Sequence, residues 1–548
     1  MKEQIFIGGA WPYANNSLHV GHLAALLPGD ILARYYRQKG AEVMYVSGSD
    51  CHGTPITVRA KKLNISPEKI AEHYNQEFKN TFDALSFSYD LYTATMTPYH
   101  KAHVQEFVKQ IDKNGYIYEK EEDEPYCEHC KTFLSDRELV GTCPVCGAET
   151  NGDQCDHCLT SLSANMVLNP RCKVCGQSAT MHKNKHLYFA LSRLSKQVQE
   201  FVDKNKDHWR QTAVNESTKY LKEGLRDRAL TRQLNWGVEI PFPGFEDKRM
   251  YVWFEAVLGY FTAGEKVMAE KGEDFWKFIT DKNTKCYYVH GKDNIVFHTI
   301  ILPGLLEALN PQIQKPDYII SSEYVNLNND KMSKSKGNLV TVKTLLANFD
   351  SESIRYYFMF NNPERRDTSF SIEDYVDIHN KHLVGGYGNF VNRNLSFLAK
   401  KFNGVLPAID VSDEVRATVK NAYKTIGDLI EKGENRTAVE EMYSLIKYAN
   451  KYYDESAPWT LYENDKPAFD KVTSNCLYLI ANIANITAPL LPKTAAKVKE
   501  FLGITGEEKW DEIFYNPNKK LENITVLFNR VALKDVDLSL QAKDEFNC

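Results

Sequence analysis

The chain has 548 residues, with 67 Lys and Arg against 72 Asp and Glu, a net charge of −5. That length excludes a single core and predicts roughly three to five domains. Hydrophobic residues at 43% and charged residues at 25% are ordinary for a globular protein. The charge balance does not point to nucleic acid, but it does not exclude it, because phosphate binding needs only a local basic surface.

The opening residues, MKEQIFIGG, lack a basic stretch followed by a long apolar run, so no secretory signal is expected. The best candidate for a membrane span, NCLYLIANIANITAPLLP, carries three asparagines and reads as a buried helix. A cytoplasmic protein without membrane contact is expected.

In chain order, residues 3–10 read as a buried strand. Ser17 is a candidate N-cap for LHVGHLAALL, which has helical spacing. Pro28-Gly29 should kink or break that helix, and Gly40 can end its continuation. EVMYVSG reads as a second strand. SPEKIAEHYNQEFKNTFDAL reads as a helix capped by Ser66, with Pro67 in its first turn. Strand–helix–strand–helix order predicts an α/β fold with a doubly wound parallel sheet.

From about residue 118 to 180 the chain is Cys-rich and short-turned, and reads as an insertion. Alternation returns with MYVWFEAVLGYF, and KCYYVHGKDN reads as a strand running into a turn. DYIISSEYVNLNNDKMSKSKGNLV looks hairpin-like, with a Lys/Ser/Gly loop. From about 372 the pattern is long amphipathic helices, with few strand signals before NITVLFNRV.

Twelve cysteines are present, eight of them in four Cys-x-x-Cys pairs. In a reducing compartment such pairs indicate metal rather than disulfides. Eight residues separate Cys146 from Cys155, short enough for one knuckle, which groups Cys143, Cys146, Cys155 and Cys158 around zinc. Cys51, Cys286, Cys476 and Cys548 read as buried or incidental thiols.

Two further stretches carry chemistry. NNSLHVGH puts His19 and His22 on one face of a helix start, where free N–H groups and the positive dipole end favour phosphate. Gly21 lets a flat ligand approach. A His-x-x-His pair alone is weak and usually incidental. KMSKSKGN, Lys331 to Asn338, is a cationic loop. By itself it is most often a solvated surface, but it suits charge neutralisation of a triphosphate.

Together the two stretches resemble the paired HIGH and KMSKS motifs of class I aminoacyl-tRNA synthetases. The second matches letter for letter; the first has Val20 for isoleucine. AWPYANNSLHVGH, DCHGTPI, YVWFEAVLGY, GKDNIVFH and the Cys-x-x-Cys insertion narrow the resemblance to the methionyl-tRNA synthetase family, over residue 4 to about 530.

The resemblance implies a split Rossmann-type catalytic domain with a zinc-knuckle insertion, a KMSKS junction and a C-terminal helical bundle. The expected division is 1–117 and 229–320 for the catalytic halves, 118–228 for the insertion, 321–375 for the junction and 376–548 for the anticodon-binding bundle. It implies activation of L-methionine by ATP, with Mg²⁺, then transfer to the terminal adenosine of tRNA(Met), initiator and elongator. His19, His22, Lys331 and Lys334 would be catalytic. ATP would also meet Gly21, Asp293, Met332, Ser333 and Ser335. Trp11, Tyr13, Trp253, Ala256, Tyr260, Phe297 and His298 would line the methionine pocket, with Asp50 on the ammonium.

Similarity to two-zinc members of the family nests a second set, Cys127, Cys130, Cys172 and Cys175, outside the first. An insertion of about one hundred residues is too small for the large editing domain of the isoleucine, valine and leucine enzymes. Asn389, Arg393, Pro458 and Trp459 would meet the anticodon, and Gly385 stands where the family would have asparagine. No tRNA-binding appendage follows residue 548, so a monomer is expected. A synthetase for another apolar amino acid and a non-catalytic RNA-binding paralogue are the alternatives.

Overall fold

A computed structural model describes residues 2–134, 138–152, 155, 157–158, 160, 162–327, 340–401 and 404–537. The first strands, β1 (Gln4–Gly9), β2 (Glu42–Ser49) and β3 (Leu91–Ala94), alternate with helices α1 (Val20–Gln38) and α2 (Pro67–Ala84). After α3 (Pro98–Lys113) the chain leaves through β4 (Ile117–Cys127). This pairs antiparallel with β5 (Thr180–Phe189) from Ile117↔Phe189 to Tyr126↔Thr180. The insertion is thus framed by a long ribbon that its Cys-rich sequence did not announce.

The chain returns as helix α4 (Val252–Lys271) and strands β6 (Thr284–Gly291) and β7 (Tyr318–Ser322). The sheet order is β7-β6-β1-β2-β3, all parallel. Strand order reverses beside β1, and the crevice beyond the carboxyl ends of β1 and β6 is where such a sheet binds ligands. The strands are apolar on both faces, as a covered parallel sheet requires. Ile5, Ile7 and Tyr45 pack with Leu23, Leu27 and Ile31 of α1. Phe6, Met44 and Val46 face the other way, toward Leu258 and Phe261 of α4.

Local readings are corrected at five points. The N-cap of α1 is His19, not Ser17, and α1 runs through Pro28 without a break. The glycine beside it serves close approach: a Cβ on Gly29 would lie 2.9 Å from the Tyr45 hydroxyl. YVWFEAVLGY lies on α4, not on a strand. Among the described residues the hairpin-like stretch forms no hairpin: β8 (Val325–Leu327) pairs in parallel with β9 (Thr368–Phe370), and residues 328–339 lie outside the described ones. NITVLFNRV forms no strand; Phe528 instead packs its ring against His379 and Tyr387. The helix predicted after Ser66 is α2, capped by that residue on Lys69 N–H.

Helices α5 (Ser351–Phe360), α6 (Asn389–Lys401), α7 (Asp413–Glu431), α8 (Asn435–Ser456), α9 (Pro458–Asn464) and α10 (Lys466–Thr487) form the C-terminal part. Helix α1 is bolted to it. Gln38 donates to the backbone and side-chain oxygens of Asn485 at 3.1 and 2.9 Å, and the Tyr35 hydroxyl donates to Glu431 at 2.7 Å. Arg355 of α5, fully buried, meets Asp30 at 2.7 Å and donates to the carbonyls of Pro489 and Leu490.

Candidate active site

The HVGH segment follows β1 and begins α1. His19 accepts the Gly21 N–H on Nδ1 at 3.1 Å, and His22 accepts the His19 N–H on Nδ1 at 3.2 Å. This is a capping box built from two imidazoles. The rings stack with centroids 3.8 Å apart. The described residues that follow KMSKSKGN return to this point: Val20 N–H donates to the Val340 carbonyl at 3.2 Å, and Val342 N–H donates to Leu18 at 2.8 Å. Lys331, Met332, Ser333, Lys334 and Ser335 themselves lie outside the described residues.

Trp11, Tyr13, Asp50, Tyr260 and His298 gather beyond the ends of β1 and β2 and on the flanking helices. Tyr13 bridges Asp50. The Trp11 indole is wedged between two glycines: a Cβ on Gly48 would come within 2.4 Å of it, and one on Gly259 within 2.8 Å. Its Nε1 is buried without a hydrogen-bond partner. Tyr260 meets Trp11 edge-on at 6.2 Å and donates its hydroxyl to His298 Nε2 at 2.9 Å. His298 donates from Nδ1 to the Asn294 carbonyl, which fixes its tautomer. Burial pulls its pKa down to about 4, so it stays neutral. Trp253 and Phe297 meet edge to face at 4.5 Å, and Ala256 is buried on the same helix as Trp253.

Asp50 is 2% exposed. Burial, reinforced by the charge of Glu255, pushes its pKa well above the usual carboxylate range. A ligand ammonium would reverse that shift. Asp293 is exposed and accepts from the Tyr324 hydroxyl at 2.5 Å. His290, given no role by its motif, is fully buried and stacks on His298 at 4.3 Å.

Sequence reasoning missed three residues beneath this pocket. His52 Nδ1 lies 2.7 Å from Oε1 of Glu255, and His100 Nε2 lies 2.7 Å from its Oε2. His100 Nδ1 is 2.9 Å from the Thr262 hydroxyl. The His52 backbone N–H also donates to Asp50 at 3.3 Å. His52 and Glu255 sit inside DCHGTPI and YVWFEAVLGY, and the signal for Glu255 was a carboxylate within an otherwise apolar run.

The eight knuckle cysteines form two sets, Cys127/Cys130/Cys172/Cys175 and Cys143/Cys146/Cys155/Cys158, each with its sulfurs within 4.8 Å of one another. Cross-pair Sγ separations are 3.4, 3.8, 3.8 and 3.6 Å. A tetrahedral zinc with ~2.3 Å bonds would space its thiolates by about 3.8 Å. Both sets therefore could hold zinc, and the nested pairing is the one the sulfur positions favour.

In the bundle, Asn389 and Arg393 lie one turn apart on α6. Arg393 pairs with Asp454 at 2.8 Å and lies over the Tyr453 ring. Trp459 is 44% exposed and meets the same ring edge-on at 5.7 Å. Pro458 starts α9 after Ala457, whose φ is +40°. Gly385 is exposed.

Among the described residues no helix is long and apolar enough to cross a membrane. The model of tRNA synthetases class I (M) matches residues 5–395, and that of the anticodon binding domain of methionyl tRNA ligase matches 408–531. Methionine–tRNA ligase 1 of Alkaliphilus oremlandii is 45% identical over 530 residues, 97% of this chain and 98% of that protein. Methionine–tRNA ligase of Streptococcus pneumoniae is 44% identical over 97% of each chain. The structure of Mycobacterium tuberculosis methionyl-tRNA synthetase with methionyl-adenylate superposes with a TM-score of 0.80 at 23% identity, covering 97% of this chain and 100% of that one. The fold is therefore shared with it, and by sequence the chain belongs to the methionyl family of class I tRNA synthetases.

Proposed function

We infer that the chain is a methionine–tRNA ligase. It joins L-methionine to ATP as methionyl-adenylate, releasing pyrophosphate, and passes the methionyl group to the 3′-terminal adenosine of tRNA(Met). The observation that carries this reading is the meeting of the HVGH helix start with the chain leaving KMSKS, through Leu18, Val20, Val340 and Val342.

The first step needs no general base, because a carboxylate is already ionised at neutral pH. Positioning and charge stabilisation suffice. With Nδ1 of His19 and His22 occupied as acceptors, each neutral ring carries its proton on Nε2 and offers it to a phosphate oxygen. The start of α1 adds its positive dipole end. Lys331 and Lys334 would balance charge on the departing pyrophosphate, with Gly21, Asp293, Met332, Ser333 and Ser335 around the nucleotide. Mg²⁺ bound to ATP would add further charge neutralisation at the phosphates.

Asp50 would take the ammonium, and Trp11, Tyr13, Trp253, Ala256, Tyr260, Phe297 and His298 the thioether chain. Sulfur–aromatic contacts of about 0.3–1.5 kcal/mol each suit it. Zinc in the two cysteine sets would fold the insertion, and Asn389, Arg393, Pro458 and Trp459 would receive the anticodon of initiator and elongator tRNA. The division at 117, 228, 320 and 375 and a cytoplasmic location belong to the same proposal. ATP–pyrophosphate exchange with each of the twenty amino acids tests it. Exchange should depend on methionine; equal exchange with leucine or isoleucine would overturn the assignment.

A further inference from the structure

Lys292 and Asp293 follow directly from β6, at the carboxyl end of the sheet, where a fold of this kind takes its ligand. Both are tied to one neighbour. Tyr324, between β7 and β8, donates its hydroxyl to Asp293 Oδ1 at 2.5 Å, and the Lys292 ammonium lies 3.8 Å from the centre of its ring. The tyrosine backbone is fixed as well. Its N–H donates to Asp367 at 3.0 Å, and its carbonyl accepts the Thr368 N–H at 3.0 Å. Lys292 is held in turn by Glu323 at 2.8 Å and by the same Asp367 at 3.1 Å. Three attachments, at N–H, carbonyl and ring, thus aim one hydroxyl at one carboxylate oxygen.

Asp293 is itself exposed, so water would satisfy its charge and folding gains little from the contact. The contact instead fixes the rotamer of a side chain that would otherwise turn freely, and it occupies one oxygen while leaving the other to a ligand. A carboxylate repels the phosphates of ATP, but it accepts from the donors that the nucleoside offers, the sugar hydroxyls and the adenine amine. We propose that Tyr324 is a positioning residue for ATP: clamped between Lys292 and the backbone of the β8–β9 pair, it holds the Asp293 carboxylate in the orientation that receives the nucleotide. This rests on the reading that sets Asp293 beside ATP.

The test is methionine-dependent ATP–pyrophosphate exchange by the full chain, as wild type, Tyr324→Phe, Asp293→Ala and the double mutant. Tyr324→Phe removes one oxygen and should melt with the wild type. It should raise KM for ATP about tenfold, the lower end of what the loss of a supporting partner costs a binding group. Its kcat should stay within about twofold, because a contact made equally in ground and transition states acts on KM alone. KM for methionine should not move. Asp293→Ala should raise KM for ATP at least as far. The double mutant should be no worse than Asp293→Ala, because Tyr324 acts only through that carboxylate.

A merely structural tyrosine gives another pattern in Tyr324→Phe: a lower melting temperature and a fall in kcat, with KM for ATP unmoved. That outcome overturns the proposal, as does a Tyr324→Phe chain indistinguishable from wild type. Multiplying losses in the double mutant overturn it too, because the tyrosine would then act by a route other than Asp293. Failure of the underlying reading looks different: Asp293→Ala would leave KM for ATP untouched, or the wild type would show no methionine-dependent exchange at all.

Discussion

His19 and His22 cap one helix reciprocally: each Nδ1 accepts a backbone N–H, at 3.1 and 3.2 Å, and the rings stack 3.8 Å apart. The pair therefore has a structural duty separable from any chemistry. One imidazole nitrogen serves the helix and the other can serve a phosphate.

Replacing His19 by Asn should separate the two duties, since asparagine is a good N-cap without an imidazole. His19→Asn should melt close to wild type yet lose adenylation. His22→Ala should lose about 10²–10³-fold in kcat for adenylate formation, the usual cost of one transition-state donor, and about 1 kcal/mol of stability. Lys334→Ala should fall as far. The double mutant should fall short of the product of the single effects, because both sides grip one leaving group. Stopped-flow adenylation with thermal melts reads all of these. A change in KM for ATP with kcat intact would make the histidines ground-state binders.

Metal analysis of chain purified without chelators should give two zinc ions. Cys143→Ser should leave one, because the outer set, Cys127/Cys130/Cys172/Cys175, closes without it. A wild-type value near one would leave the outer sulfurs without a metal.

The buried pair Asp30–Arg355, 2.7 Å apart and 0% exposed on both sides, ties α1 to the bundle. Arg355→Met should destabilise by about 3–5 kcal/mol, since it strands a buried carboxylate. Burial works to raise the pKa of Asp30, but Arg355 and Arg34 hold it below the ordinary 3.8. A depressed folded pKa contributes stability above the unfolded value that is lost as pH falls through the folded one. Urea midpoints below pH 4 should therefore fall less steeply in Asp30→Asn than in wild type. Parallel slopes would show that the pair does not carry the acid sensitivity.

Trp459 is 44% exposed, so Trp459→Ala should change stability little. If it stacks on a base, worth about 1–3 kcal/mol, tRNA charging should fall by roughly 10- to 100-fold in kcat/KM while pyrophosphate exchange is unchanged. Loss of both activities would mark it as a packing residue instead.

Much of this was readable from the chain alone. His19 and His22 sit three residues apart, Ser66 caps α2, and Cys-x-x-Cys pairs sit at knuckle spacing, all within one turn or one loop, where local geometry follows from spacing. The apolar runs of β1, β2 and β6 are legible for the same reason. Local spacing also misled. Pro28-Gly29 reads as a break, but Gly29 lets α1 lie against Tyr45 on the sheet face it covers. YVWFEAVLGY alternates without a one-sided helical stripe, because the first turns of α4 are buried on nearly every side.

What only the tertiary structure decided is which buried charges meet. Glu255 finds its partners 203 and 155 residues away, in His52 and His100, and Asp30 finds Arg355 across the catalytic–bundle junction. A sequence shows that a charge lies in an apolar run. It does not show the partner that makes burial tolerable, because that partner is chosen by the packing of whole elements rather than by spacing along the chain.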